Sequence, residues 1–84
     1  MVKVKIFGVI RSTTGFGYLE VEAKSVKDIF DEISKKMEKG YKEDKEKLEF
    51  KDAVVYVNGE RCMRKGKKLK AGDEVWLLSP AAGG

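Results

Sequence analysis

Leu69-Lys70-Ala71-Gly72-Asp73-Glu74-Val75-Trp76-Leu77-Leu78-Ser79-Pro80-Ala81-Ala82-Gly83-Gly84 closes the sequence. Residues 69–74 read as a turn, and Val75 to Ser79 as a strand that is hydrophobic on both faces. Such a strand suits the inside of a sheet, or a sheet whose second face meets another protein. Pro80 fixes its own φ and pushes Ser79 toward an extended conformation, so the residues beyond should leave the globule. Four extended residues span roughly 13–14 Å. Neither Gly83 nor Gly84 has a Cβ, so their backbone can enter a narrow channel in dihedrals closed to other residues. At average glycine usage this ending arises by chance in roughly one chain in two hundred. Flexible ends also favour glycine, so the rest of the chain must decide.

Moving upstream, Ala53 to Val57 is a β-branched run with one aromatic, Asn58-Gly59 is a strong type I′ hairpin signal, and Glu60 to Met63 is the returning strand. Arg64-Lys65-Gly66-Lys67-Lys68 reads as a basic loop. Residues 41–52 form a charged connector, with Leu48 and Phe50 anchoring it to the body. Before it, Val26, Ile29, Phe30, Ile33 and Met37 recur with helical period and make one apolar stripe. Ser25 reads as the N-cap of that helix, with Asp28 three positions on, and Gly40 as its stop. At the start, residues 2–10 alternate Val2, Val4 and Ile6 against Lys3, Lys5, Phe7 and Val9. Arg11 to Gly15 reads as a turn, and Phe16 to Ala23 resumes the alternation, which predicts a hairpin. The order strand, strand, helix, strand, strand, strand makes residues 1–84 one α+β domain. The arrangement is a β-grasp: about five strands in a mixed sheet covered by one main helix, the last strand beside the first, and residues 80–84 as an extended, flexible tail.

Composition narrows the chemistry. The chain has 84 residues, one cysteine and no histidine. The lone Cys62 excludes a disulfide framework and a cysteine metal cluster, and the missing histidine removes the usual general base and the commonest metal ligand. No metal site is expected. The formal charge of +4 is too mixed along the chain to be a nucleic-acid footprint by itself. No apolar run is long enough for a membrane span, and Met1 to Ile6 lacks a signal peptide's apolar core. A cytoplasmic protein is expected. Gly66-Lys67 lacks the upstream glycine of a phosphate-binding loop, because Arg61 stands there, and Gly15-Phe16-Gly17 is too short for a dinucleotide fingerprint.

Four stretches together resemble the small ubiquitin-like sulfur carriers, most closely the small subunit of molybdopterin synthase (MoaD-type). They are the opening strand with Phe7, the helix start Ser25-Val26-Lys27-Asp28, Val55-Tyr56-Val57-Asn58-Gly59-Glu60, and residues 69–75 leading to the Pro80–Gly84 ending. The resemblance implies that a partner adenylates the Gly84 carboxylate, which then becomes a thiocarboxylate whose sulfur builds the dithiolene of molybdopterin. It implies two partners, a ubiquitin-activating-type enzyme that uses ATP and magnesium, and the large synthase subunit. This chain would then be a non-catalytic carrier that binds no cofactor itself, with Gly83 giving the tail its freedom. Ser79 departs from the family where proline is frequent, and Ala81 where valine is. A protein modifier joined to lysines through Gly84, or a carrier for another pathway such as thiamine, needs the same activated carboxylate and stays open.

Phe7 and Trp76 fall out of phase with the inward residues of their strands and are candidate interface anchors, with Leu78, Pro80, Ala81 and Ala82 completing the expected contact. The alternative for the two rings is a second small cluster under the 41–52 connector. Cys62 is expected as a small buried hydrophobe, with persulfide exchange as the sharper alternative. A remote alternative for the whole domain is RNA binding by Lys3, Lys5 and Phe7 on a strand surface.

Overall fold

The computed structural model describes residues 1–37 and 48–80. Its elements run β1 (Val2–Ile6), α1 (Val9–Thr14), β2 (Tyr18–Val21), α2 (Val26–Met37), a 3-10 turn (Phe50–Asp52), β3 (Val54–Val57), β4 (Glu60–Cys62) and β5 (Glu74–Leu78). The five strands form one sheet in the order β2-β1-β5-β3-β4. β5 lies parallel to β1, while every other pair is antiparallel. This is the mixed β-grasp sheet expected, with the last strand at its centre. Within β5, Val75 and Leu77 are fully buried, and Trp76 and Leu78 lie on the opposite face.

One face of the sheet carries Val2, Val4, Ile6, Val21, Val55, Val57, Cys62, Val75 and Leu77, all buried. The α2 stripe of Val26, Ile29, Phe30 and Ile33 covers that face as expected, with Met37 packed at the edge of the core. The connector was expected to be held by Leu48 and Phe50, and both serve. Leu48 is buried, and Phe50 meets Phe30 edge-on at 5.9 Å between ring centroids. Ser34, a polar residue on the helix that the periodicity does not single out, is also buried. Its hydroxyl accepts the Leu48 N–H at 2.9 Å, which pins the chain as it returns to the core. Gly40 and the connector residues before Leu48 lie outside the described residues.

Three local expectations need correction. The first strand ends at Ile6, not at residue 10, and residues 9–14 form the helix α1 where a continued strand and a turn were expected. The cause is Gly8, whose φ of +76° breaks the extended run and turns Ile10 into the core. The second strand is correspondingly shorter, Tyr18–Val21. Finally, the Ser25 side chain is not the cap of α2. Among the described residues the first helical N–H groups are satisfied by the basic loop, Val26 donating to the Lys67 carbonyl at 3.0 Å and Lys27 to that of Lys65 at 2.9 Å. Asp28 accepts from the Lys24 N–H at 2.9 Å. Carbonyls from a distant loop do the work assigned to a local hydroxyl.

The Asn58-Gly59 turn forms as expected, with φ of +50° and +87°. Asn58 also ties this hairpin to the turn before β5. Its Oδ1 accepts the Glu74 N–H at 2.9 Å and its Nδ2 donates to Asp73 at 3.2 Å. The Lys70 N–H and then the Asn58 amide hold the Asp73 carboxyl below its ordinary range. A carboxyl depressed in the folded state stabilises above its unfolded pKa of about 4 and loses that contribution as pH falls through the folded value. Urea midpoints of the parent and Asp73→Asn should therefore differ near neutrality and converge in strong acid. A gap independent of pH would show that the Asp73 charge contributes nothing.

Candidate functional site: an open sheet face and the root of the tail

Strand registers determine the face turned away from α2. Lys5 stands opposite Tyr18 and Trp76, Trp76 opposite Tyr56, and Tyr56 opposite Arg61. A single row, Tyr18-Lys5-Trp76-Tyr56-Arg61, thus crosses all five strands. Phe7 meets Trp76 edge-on at 5.7 Å, and the two rings remain 40% and 38% exposed. Leu78, half-buried, stands opposite Val54 on the same face. The structure therefore places Phe7, Trp76 and Leu78 on one face. The rings cluster on the open face, whereas Leu48 and Phe50 of the connector pack into the core on the helix side.

Charge surrounds the rings. Glu74 accepts from the Trp76 indole N–H and lies 3.5 Å from the Lys5 ammonium. Those two neighbours, the indole first, hold the Glu74 carboxyl below the usual range. Tyr18 donates to Glu20 at 2.8 Å, and that bond raises its phenol above the ordinary value. An aromatic centre with a mixed polar rim is the anatomy of a protein docking surface. Tyr56, Tyr18, Val54 and Arg61 were not singled out from the sequence. Tyr56 was within reach, since it alternates with the inward Val55 and Val57. Placing all four in one patch requires the registers.

At the end of β5, Ser79 and Pro80 lead out of the sheet, and Pro80 is exposed. From Trp76 to Ser79 is about 10 Å along the strand, so the open aromatic face and the root of the tail are neighbours. Ala81, Ala82, Gly83 and Gly84 lie outside the described residues. Cys62 is buried in β4 with its thiol against the Arg64 carbonyl at 3.2 Å, in keeping with a small core residue. Among the described residues no group of three or more metal-binding side chains occurs, and no helix is long and apolar enough to cross a membrane.

The ThiS family model matches residues 4–84, from the first strand through the final glycine. The chain belongs to the ThiS family. Solved structures similar to this family member agree. One is from Pyrococcus furiosus, described as molybdopterin converting factor, subunit 1, at 31% identity and TM-score 0.70, covering 95% of this chain and 97% of that one. Another is small archaeal modifier protein 1 of Methanosarcina acetivorans, at 26% identity and TM-score 0.74, covering 99% and 95%. The Amycolatopsis orientalis BexX/CysO complex contains a third, at 27% identity and TM-score 0.70, covering the whole of both chains. No curated protein matches the chain in sequence. Membership makes this a ubiquitin-like protein of the sulfur-carrier group.

Proposed function

We propose that this chain carries sulfur on the carboxylate of Gly84 for molybdopterin synthesis, as the small, non-catalytic partner of a synthase. The observation that carries the reading is the family match, which extends to residue 84, joined to a central strand that delivers the chain to Pro80 beside an exposed aromatic face. Likeness to the Pyrococcus protein favours molybdopterin over thiamine as the destination.

The chemistry follows from what the residues can and cannot do. A carboxylate resists nucleophiles until one oxygen becomes part of a better leaving group. A partner enzyme supplies that activation, using ATP and magnesium, by forming an acyl-adenylate at Gly84 with release of pyrophosphate. Attack by hydrosulfide on the acyl carbon then forms the C–S bond, breaks the C–O bond to AMP, which leaves, and yields the thiocarboxylate. This chain contributes the docking face, the reach of its tail and the bare backbone at residues 83 and 84. The face around Phe7 and Trp76, with Leu78, Pro80, Ala81 and Ala82, would meet the adenylating enzyme and then the large synthase subunit. Glu20 and Glu74 among Lys3 and Lys5 make that face unlike the basic platform that RNA needs.

Intact mass after incubation with a cognate activating enzyme, ATP and a sulfur source tests the reading. Replacement of one Gly84 oxygen by sulfur is the expected result. A second reading, a modifier joined to lysines, draws on the likeness to the Methanosarcina modifier protein, and it predicts a ladder of heavier adducts instead. An unchanged mass would overturn both.

A further inference from the structure

The helix α1 has no cap of its own. Gly8 occupies its N-cap position, with φ of +76° and no side chain to accept a hydrogen bond. The acceptor comes from the far end of the chain: the Ser79 hydroxyl accepts the Ile10 N–H at 3.0 Å, across 69 positions of sequence. Serine is a preferred residue for this task when it sits at the N-cap itself. Here it performs the task from the first residue after β5. Gly8 is shaped to admit it, because a Cβ at Gly8 would lie 2.6 Å from the Ser79 Oγ. The same two segments are joined once more, by the Phe7 N–H donating to the Leu77 carbonyl at 2.9 Å. Ser79 and Pro80 also line one hollow with Val9, Ile10 and Thr13 of α1.

We propose that Ser79 is a positioning residue: by capping α1 it latches the root of the tail and sets the direction in which Pro80 launches the residues that end at Gly84. The proposal rests on the carrier reading above. A latched root enters the complex with Ser79 and Pro80 already held in place. An unlatched one frees the root itself, and even one residue so freed dilutes the productive geometry by roughly fivefold or more. Because Phe7 and Trp76 anchor the docking, this loss falls chiefly on the reaction within the docked complex, with little change in affinity.

The test uses full-length Ser79→Ala beside the parent, with the activating enzyme in excess. Three quantities are read: the single-turnover rate of acyl-adenylate formation at saturation, the Kd of the complex, and the exchange rate of the Ile10 amide. The expected result is a saturated rate about fivefold or more lower, a Kd within about twofold of the parent, and faster exchange at Ile10. An unchanged saturated rate overturns the positioning role, as does a weakened Kd with the rate intact, which would make Ser79 a contact residue. A slower rate without faster Ile10 exchange also overturns it, since the effect would not pass through the latch. A parent protein that is never adenylated overturns the carrier reading, and the positioning role falls with it.

Discussion

Adding a single residue after Gly84 is expected to abolish adenylation by the activating enzyme. The extension converts the Gly84 carboxyl into an amide and moves the new carboxylate about 3.5 Å further along the channel. Misplacement of reacting groups by 1 Å already costs about a hundredfold, so the loss should exceed that and approach the background of an ATP–pyrophosphate exchange assay. Deleting Gly83 and Gly84 should be equally damaging to activity. It should leave the melting midpoint unchanged, because among the described residues the fully buried side chains end at Leu77. Gly84→Ala or Gly83→Ala should be milder than either, since a Cβ restricts the backbone without displacing the reactive carbon. Substitutions at Ala81 and Ala82 should be milder again. Equal exchange rates for the extended and parent proteins would show that Gly84 is not the reactive end.

Trp76 and Leu77 are adjacent in β5 and should fail in opposite ways. Leu77 is fully buried between Ile6 and Val55, so Leu77→Ala leaves a cavity and should cost about 2–5 kcal/mol of stability. Trp76 faces outward and is more than a third exposed, so Trp76→Ala, which removes the indole bond to Glu74 and a ring pair with Phe7 worth about 0.5–1.5 kcal/mol beyond its buried area, should destabilise less than Leu77→Ala. Its larger effect should be on association. Loss of a central aromatic anchor typically costs about 2 kcal/mol or more, which is roughly thirtyfold in Kd. Urea denaturation and calorimetric titration with the activating enzyme or the large synthase subunit separate the two. If Trp76→Ala destabilises as much as Leu77→Ala and leaves the Kd of folded protein intact, Trp76 belongs to the core and docking occurs elsewhere.

The contrast between these neighbours is partly legible in the sequence. Alternation in β1 and β5 separates Ile6, Val75 and Leu77 from Phe7 and Trp76, because a strand's side chains point to opposite faces at every step. The α2 stripe and the Asn58-Gly59 turn were legible for the same reason, each being a pattern within a dozen residues that determines its own local geometry. The mixed sheet with a central last strand followed from the double-faced hydrophobicity of residues 75–79 and from the family resemblance.

The sequence by itself thus determined the main helix, the Asn58-Gly59 turn and the inward faces of the strands, because short-range periodicity and turn chemistry act between near neighbours. Tertiary structure alone decided three things. It gathered Tyr18, Lys5, Trp76, Tyr56 and Arg61 into one row, since register between strands is set by how whole faces pack and not by any one strand. It capped α2 with the carbonyls of Lys65 and Lys67. It also made a helix of residues 9–14, whose β-branched Val9-Ile10 start reads as strand and whose six residues are too few to nucleate unaided. That helix exists because Gly8 turns the chain, Ile10 is buried and Ser79 supplies the missing acceptor. The two ends of the sequence become one site there because parallel pairing of β1 with β5 sets Gly8 beside Ser79.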